Sequence, residues 1–387
     1  MTTHSPSGID LAGLTTGPPQ AWGGVRLVPL LRAAPVVDLR LHPRAYGESI
    51  GVVDVDGRSG YAAYVPHGYV ANWTRDGAPA AAYGTRLSDG RTAGTDRAAP
   101  VEHLRLHFHR RMARREARNR LRFLPLHLAL EGYLALHFGG PTIVWEEWAR
   151  RAVNRGLSPR AERAYVGAEV PGLADALRVF EIHPGQCGAL LYVADALAGA
   201  LVVPHPDDYR VLHPTLLKDL YGELVHQYAL LSAPVQEFRA RLDDSAVRTP
   251  ADLRAAVRRQ REEWAAFHDG TMAGGLLGAE YSFQRVYRLG RFSLWRFLPT
   301  FHRHVENHIG ECVLDSSGRL AYLKTFRLSE AQVRRGHLLS SLAAQDWHPA
   351  RTAAALGITT EQLSLRVEHA GFGQLLVHHH RRAALTR

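Results

Sequence analysis

Cysteine is scarce in this 387-residue chain, which has only Cys187 and Cys312. Two cysteines cannot build the disulfide framework of a small secreted domain, so a reducing compartment is expected. No apolar run approaches the roughly 20 residues that cross a bilayer. The first residues, MTTHSPSGIDLAGL, lack the basic and apolar regions of a signal peptide. The sequence therefore predicts a cytoplasmic protein that does not enter a membrane.

Lysine is as rare as cysteine, although the chain is basic. Lys218 and Lys324 are the only lysines, yet Lys and Arg together number 47 and the formal net charge is +10. A sequence pI near 9.9 is compatible with nucleic-acid contact. The abundance of Ala, Arg and Gly also indicates a GC-rich coding bias, which would raise the arginine content everywhere. Charge alone therefore does not identify the partner.

Motifs of catalysis and metal binding are missing as well. The chain has no GxSxG, GxxxxGK[ST], GxGxxG, HExxH or CxxC motif. Cys187 has apolar neighbours, which indicates a buried strand or tight turn. His103 and His107 stand four residues apart, but no third ligand completes a metal set. We therefore expect no catalytic residue, metal site or cofactor, and an enzyme is the less favoured class.

Hydrophobic patterns predict a β-rich first part and later helices. Apolar or alternating runs within residues 1–100 are separated by Gly, Pro and Asp, which is typical of short strands and turns. Residues 183–204 predict a buried hairpin with Asp195 near its turn. Residues 250–267 predict a charged helix, and Asp315–Gly318 has the composition of a second hairpin turn.

These patterns favour an α+β or mixed α/β fold, with a β-rich N-terminal domain and packed helices before an all-α end. The expected divisions are residues 1–245 for the first domain, 250–327 for an α+β middle region with a hairpin, 328–376 for a helix-turn-helix, and 377–387 for a basic tail.

The C-terminal residues carry the clearest local pattern. A short helix is expected from Pro349 to Leu356, and Gly357 supplies the positive φ that the following turn requires. Thr359 with Gln362 three residues later predicts a capping box at the start of a second helix. The unit is a predicted helix-turn-helix that ends near Gly371.

The segment AAALGITTEQLSLRVEHAGF resembles the C-terminal DNA-binding module of the nucleoid factor Fis and of bacterial enhancer-binding regulators. The resemblance covers about residues 329–372 and implies a two-fold dimer. Thr359, Thr360 and Gln362 would contact the groove, with Gln362 suited to adenine. Phosphate contacts would come from Arg366, Arg351, Arg334 and Arg335.

The second helix also carries features that oppose DNA contact. Glu361 and Glu368 make it net acidic, whereas such modules usually have several basic residues on the exposed face. A three-helix unit used for packing or for a protein partner therefore stays open as the alternative.

A second basic feature is a predicted helix over residues 107–123. Its arginines repeat at steps of three and four residues, so one stripe of the helix is cationic and would hold a phosphate-bearing ligand or nucleic acid. The alternative is a solvated face that pairs with Glu146 and Glu147. The candidate ligand-binding arginines are Arg111, Arg114, Arg115 and Arg118.

Two blocks, Gly17–Leu31 and Gln186–Leu230, together resemble the ADP-ribosylglycohydrolase and rhodanese-phosphatase associated protein family, known as ARPP. The resemblance implies a mixed α/β domain, a genomic association with ADP-ribose or nucleotide-derivative metabolism, and no established reaction. The residues that match its pattern are Gln186, Gly188, Gly199, Tyr209, Leu212, Pro214, Leu216 and Leu217.

Polar groups beside the predicted hairpin form a further candidate ligand site. Gln186 and Asp208 are its candidate ligand-binding residues, with Asp207 and Tyr209 close by in sequence. The alternative is ordinary turn chemistry, in which Asp207 or Asp208 caps the helix that follows.

Together these features favour a homodimeric helix-turn-helix DNA-binding regulator that also responds to a nucleotide or ADP-ribose-like ligand. Two other classes stay open. One is an interaction or scaffold protein with a degenerate helix-turn-helix. The other is an enzyme that acts on an ADP-ribose-like phosphate ester, with the arginine stripe as a phosphate clamp.

Overall fold

Antiparallel strands dominate the part of the chain that the structure describes. This computed structural model describes residues 6–36, 39–41, 51–54, 60–63, 70–73, 80–81, 177–213, 229, 233–236, 241–328, 330–370 and 372–373. The strands are β1 (Leu14–Thr16), β2 (Gln20–Trp22), β3 (Val25–Arg32), β4 (Leu39–Leu41), β5 (Gly51–Asp54), β6 (Gly60–Ala63), β7 (Val70–Trp73), β8 (Ala80–Ala81), β9 (Gln186–Val193), β10 (Ala196–Val202), β11 (Tyr281–Leu289), β12 (Phe292–Pro299), β13 (His308–Asp315) and β14 (Leu320–Arg327).

One sheet contains nine of these strands, in the order β1-β3-β9-β10-β14-β13-β12-β11, with β2 also paired to β3. Strands β4, β7 and β8 form a second sheet, and β5 pairs with β6. Every residue of β9 is buried, and so is nearly all of β14. Both faces of the large sheet are therefore covered at its centre, which explains why these strands read as continuous apolar runs.

The pairing of β10 with β14 joins the two halves of the large sheet. Gly199 lies opposite Phe326, and Val202 lies opposite Leu323. Strands β3 and β9 lie on the β10 side of this pairing, and β13, β12 and β11 lie on the β14 side. The sheet is thus continuous from the N-terminal region to residue 327.

Hairpin turns fix the register of the strands. Ala194 and Asp195 have φ values of 48° and 60° between β9 and β10, which is the geometry of a two-residue type I′ turn. In the turn after β13, Oδ1 of Asp315 accepts hydrogen bonds from the backbone N–H groups of Ser317 and Arg319. Both hairpins that the sequence predicts are confirmed.

In the part of the chain that the structure describes, the α-helices follow β10. A capping box formed by Thr249 and Asp252 begins the first long helix, as its Pro at the first helical position also favours. The helical elements are α1 (Pro250–Phe267), a π-helical segment (His268–Met272), α2 (Gly274–Leu277), α3 (Glu330–Ala344), α4 (Pro349–Ala355) and α5 (Thr360–His369). A further helical stretch covers residues 206–213.

The C-terminal helices share the core of the sheet. Leu339 and Leu342 of α3, Val367 of α5 and Phe372 belong to the same buried cluster as the strands. The turn between α4 and α5 has Gly357 at φ 63°. The predicted capping box of Thr359 and Gln362 is present at the start of α5. The local helix, turn and helix predicted from the sequence are therefore confirmed.

The described residues form an α+β fold, as predicted: an antiparallel sheet with packed helices, followed by the C-terminal helices. None of the helices in the described ranges combines the length and hydropathy needed to span a bilayer.

Candidate functional sites

The start of α5 holds the predicted groove contacts. The backbone N–H of Gln362 donates to Oγ1 of Thr359 at 3.2 Å, and Oε1 of Gln362 accepts from the backbone N–H of Thr359 at 3.2 Å. Recognition of adenine by glutamine uses both the amide oxygen and the amide nitrogen. Since the amide oxygen of Gln362 is engaged in the cap, base reading at this position would disrupt the helix start. Thr360 is exposed beside it.

One exposed face of α5, formed by Glu361, Leu365 and Glu368, is acidic and apolar. Glu361 and Glu368 are exposed, and Leu365 is 57% exposed. Ser364 donates its hydroxyl to the backbone carbonyl of Thr360 at 2.8 Å, so it points back along the helix. This face offers few side chains that could read a base edge, and two of its charges would repel phosphate.

A cavity of 450 Å³ lies between α3 and α5, and we call it the arginine cavity. Its wall includes residues from three separate segments: the loop before β13, helix α3, and the end of α5. No carboxylate is among its lining residues. The lining residues are Arg303, Arg334, Arg335, Arg366, His337, His369, Ala331, Leu338, Leu356 and Ala370.

The charge of the arginine cavity is only partly offset. Arg334 contacts Glu330 at 3.2 Å, but the Glu330 side chain is 88% exposed and such a pair contributes little. No carboxylate of the described residues lies within ion-pair distance of Arg303 or Arg366. Partial burial, with Arg303, His302 and Arg366 nearby, lowers the pKa of His337. The cavity is therefore a region of concentrated positive potential.

The loop that presents Arg303 has an unusual backbone. Phe301 and His304 have φ values of 56° and 69°, a region that residues other than glycine rarely adopt. The side-chain amide of Asn307 donates to the carbonyl of His302 at 2.8 Å and to that of Val305 at 3.0 Å. These bonds hold the loop closed, so Arg303 is carried on a fixed scaffold.

The sequence identified part of this site. Three of its predicted DNA contacts, Arg334, Arg335 and Arg366, line the arginine cavity. Arg351 is outside the lining and lies 3.9 Å from Asp346. Arg303 and His337 were missed, because only the folded chain brings the loop before β13 to α3.

Gln186 and Asp208, the candidate residues of the second predicted site, both form bonds within the protein. Gln186 is buried; its Oε1 accepts from the backbone N–H of His183 at 2.9 Å, and its Nε2 donates to the carbonyl of Gly188 at 3.2 Å. The buried carboxylate of Asp208 receives the Arg40 guanidinium at 2.8 and 3.0 Å. Gln186 therefore fixes the turn before β9, and Asp208 joins the helical stretch of residues 206–213 to β4. Their role as ligand contacts stays a prediction.

The expectation that Asp207 or Asp208 caps a helix is wrong. The helix begins at residue 206, so both aspartates are inside its first turn. The backbone N–H of Asp207 instead donates to Nδ1 of His205 at 3.1 Å. The arginine stripe of Arg111, Arg114, Arg115 and Arg118 lies outside the described residues.

A buried polar chain links β9 to the π-helical segment. Nδ1 of His268 donates to Oδ1 of Asp269 at 2.9 Å, and the hydroxyl of Tyr192 lies 2.7 Å from Nε2 of His268. Burial lowers the pKa of His268, while Asp269 acts in the opposite direction. Asp269 lines an open groove of 1450 Å³ between the N-terminal strands and α1, but Tyr192 and His268 are fully buried and cannot reach a ligand there.

Replacing Tyr192 by Phe is expected to lower the free energy of unfolding by about 1–3 kcal/mol, because Nε2 of His268 loses its partner in the core. Urea unfolding measures the change. The double variant Tyr192→Phe/His268→Phe removes both polar groups and should recover most of the loss. A single variant as stable as the wild-type protein would show that this bond contributes nothing.

Three charged side chains cross the large sheet in one buried row. Arg296, Glu311 and Lys324 are neighbours on β12, β13 and β14, in cross-strand register. Glu311 is fully buried and Lys324 is 2% exposed. Burial lowers the pKa of Lys324 below its ordinary value, and Glu311 acts against that shift. The row is a buried ion network inside the sheet, and sequence reading did not single it out.

Thiol and metal chemistry find little support in the described residues. Cys187 and Cys312 are both buried and unpaired with each other, and burial raises the pKa of both thiols. Burial therefore favours the neutral thiol over the thiolate at both positions. No group of three or more His, Cys, Asp or Glu side chains in the described ranges is placed to hold a metal ion.

Comparison with known proteins identifies the family. The sequence model of the ARPP-2 family matches residues 9–290, from a position before β1 to the turn between β11 and β12. No curated protein and no solved structure matches the chain. The match covers more than half of the chain and includes both blocks on which the ARPP resemblance rests. The chain belongs to the ARPP-2 family.

Proposed function

We propose that the protein binds duplex DNA through α3, α4 and α5, and that phosphate contacts provide most of the affinity. The observation that carries the proposal is the arginine cavity, where four arginines meet without a carboxylate in the lining. Arginine is suited to phosphate because its planar fork donates two parallel hydrogen bonds. The cavity lies at the second helix of a helix-turn-helix, the element that such units place against DNA.

The side chains exposed on α5 favour DNA binding with little preference for particular base sequences. Direct reading of bases requires side chains that are free to reach the groove. Thr359 and Gln362 hold the helix start, and Glu361 is acidic. We therefore propose a regulator that recognises the DNA backbone more than the base sequence. By its Fis-type resemblance it would act as a homodimer in the cytoplasm.

Fluorescence anisotropy of the full-length protein with random-sequence duplex DNA, at two or more salt concentrations, tests this function. The double variant Arg303→Ala/Arg366→Ala should bind more weakly, and the slope of log affinity against log salt should fall by about 1 for each phosphate that is no longer bound. The control Arg254→Ala/Arg259→Ala removes the same charge from the exposed face of α1 and should keep most of the affinity. Absence of binding by the wild-type protein at low salt would reject the proposal.

A protein partner is the second candidate, and the exposed Leu365 favours it. This side chain is 57% exposed on the helix face that also carries Glu361 and Glu368. An apolar centre with an acidic rim fits a basic, partly apolar surface. Leu365→Asp should abolish capture of such a partner while leaving DNA binding almost unchanged. Retention of the partner by this variant would reject the candidate.

A further inference from the structure

We propose that the arginine cavity is a binding site for a small molecule that bears a terminal phosphate or diphosphate group. The inference goes beyond DNA binding, since the site would accept such a ligand whether or not the protein binds DNA. It also assigns the phosphate ligand to the C-terminal helices instead of the arginine stripe that the sequence predicts in residues 107–123.

The shape of the site fits a small ligand. A volume of 450 Å³ lies in the range of small-molecule pockets, roughly 300–1,000 Å³. Its lining contains guanidinium and imidazole groups and also the apolar side chains of Leu338, Leu356 and Ala370. A ligand with an anionic end and a less polar body matches this mixed lining.

The charge of the site favours more than one negative charge on the ligand. Arg303 and Arg366 bring to this cavity two positive charges that no carboxylate of the described residues offsets, and the exposed Glu330 offsets the charge of Arg334 only weakly. A backbone phosphodiester offers one negative charge, whereas a terminal phosphate carries nearly two at neutral pH. A diphosphate carries still more. The match in charge is therefore better for a terminal phosphate or a diphosphate than for a DNA backbone.

Side chains, and not a helix dipole, must hold the anion. Arg366 and His369 lie near the C-terminal end of α5, which has a partial negative charge that disfavours anions. Arg303 projects from the loop that Asn307 holds closed. The arginines come from one loop and two helices, so three separate segments contribute positive charge to the cavity.

Isothermal titration calorimetry of the full-length protein with inorganic pyrophosphate tests the inference. Pyrophosphate should bind, and Arg303→Gln and Arg366→Gln should each weaken binding at least tenfold. The matched control Arg254→Gln, on the exposed face of α1, should change the affinity less than twofold. Circular dichroism melting shows whether each variant is folded, and all three positions are exposed, so unfolding is not expected.

The resonances of His337 give an independent readout. Arg303 and His302 from the loop and Arg366 from α5 are the charged or titratable groups that act on this imidazole. A bound anion offsets their repulsion of the imidazolium. Pyrophosphate should therefore raise the pKa of His337 in an NMR titration, and Arg366→Gln should diminish that change.

Four outcomes separate this inference from DNA binding. Pyrophosphate binding without DNA binding supports the small-ligand site and rejects the proposed function. DNA binding without pyrophosphate binding at millimolar concentration does the reverse. If both bind, pyrophosphate should compete with DNA, because the same arginines are used. Pyrophosphate affinity that is equal in wild-type protein and both arginine variants overturns the inference. Titration with orthophosphate and with a nucleoside diphosphate then distinguishes a terminal phosphate from a diphosphate ester.

Discussion

Glu311→Gln is expected to lower the free energy of unfolding by about 3–5 kcal/mol, one of the two largest effects we expect. Glu311 lies between Arg296 and Lys324 in cross-strand register, and all three side chains are buried. Removing one partner of a buried ion network leaves charge in the core without compensation. Urea unfolding at neutral pH measures the loss.

The double variant Glu311→Gln/Lys324→Met is the informative companion. Replacing buried ionic groups by apolar groups of similar size is often neutral or stabilising, so the second change should recover much of the loss. Glu330→Gln is the matched control, because Glu330 is 88% exposed in its pair with Arg334. Its effect should stay within about 0.5 kcal/mol. A Glu311→Gln variant as stable as this control would mean that water, and not Glu311, compensates the buried charges of Arg296 and Lys324.

The same row predicts how stability depends on pH. Burial lowers the pKa of Lys324 in the folded protein from the ordinary value of 10.5 to about 7. Between these two pH values the unfolded chain binds more protons than the folded chain, so the free energy of unfolding rises with pH. Lys324→Met should remove this contribution from the pH profile of urea unfolding.

Gly336→Ala is expected to lower the free energy of unfolding by about 1–3 kcal/mol, the cost of inserting a methyl group into a filled core. This sign is opposite to the usual one, since alanine inside a helix is ordinarily about 1 kcal/mol more favourable than glycine. A Cβ atom at position 336 would overlap the buried ring of Phe301. The ring must move, and the loop that carries Arg303 must move with it.

Gly270→Ala is the control for this second prediction. Gly270 has ordinary backbone geometry, and a Cβ atom there would meet nothing within 4 Å. Its stability should be equal to or slightly above that of the wild-type protein. Thermal unfolding followed by circular dichroism compares the two variants. If Gly336→Ala were as stable as Gly270→Ala, the contact between α3 and Phe301 would be looser than the structure shows.

Local chemistry explains which parts of the fold the sequence predicted. The capping box of Thr359 and Gln362 and the turn at Gly357 depend on neighbouring residues, so they can be read from a short window. The turns at Asp195 and Asp315 are local in the same way.

The hairpin of β11 and β12 was not predicted, because its apolar pattern is interrupted by arginines. Arg285 lies over the ring of Trp295, and Arg296 is buried beside Glu311 on the next strand. Each of these arginines is explained by a partner on another strand. Periodicity within one segment contains no information about that partner.

The arginine cavity was predictable only in part for the same reason. Arg334, Arg335 and Arg366 were visible as basic residues near the helix-turn-helix. Arg303 is separated from them in sequence, and it reaches the cavity because Phe301 packs against α3. The convergence of charge is a property of tertiary packing, whereas the individual charges are a property of the sequence.

The pairing of β10 with β14 has a consequence for synthesis of the protein on the ribosome. Strand β10 ends at Val202, but its partner ends at Arg327. At about 5–20 residues per second, roughly 6–25 seconds pass between translation of the two strands. Throughout that interval β10 presents an open edge, which is a template for pairing with other chains. We therefore expect the nascent N-terminal half to need protection from aggregation until β14 has been made.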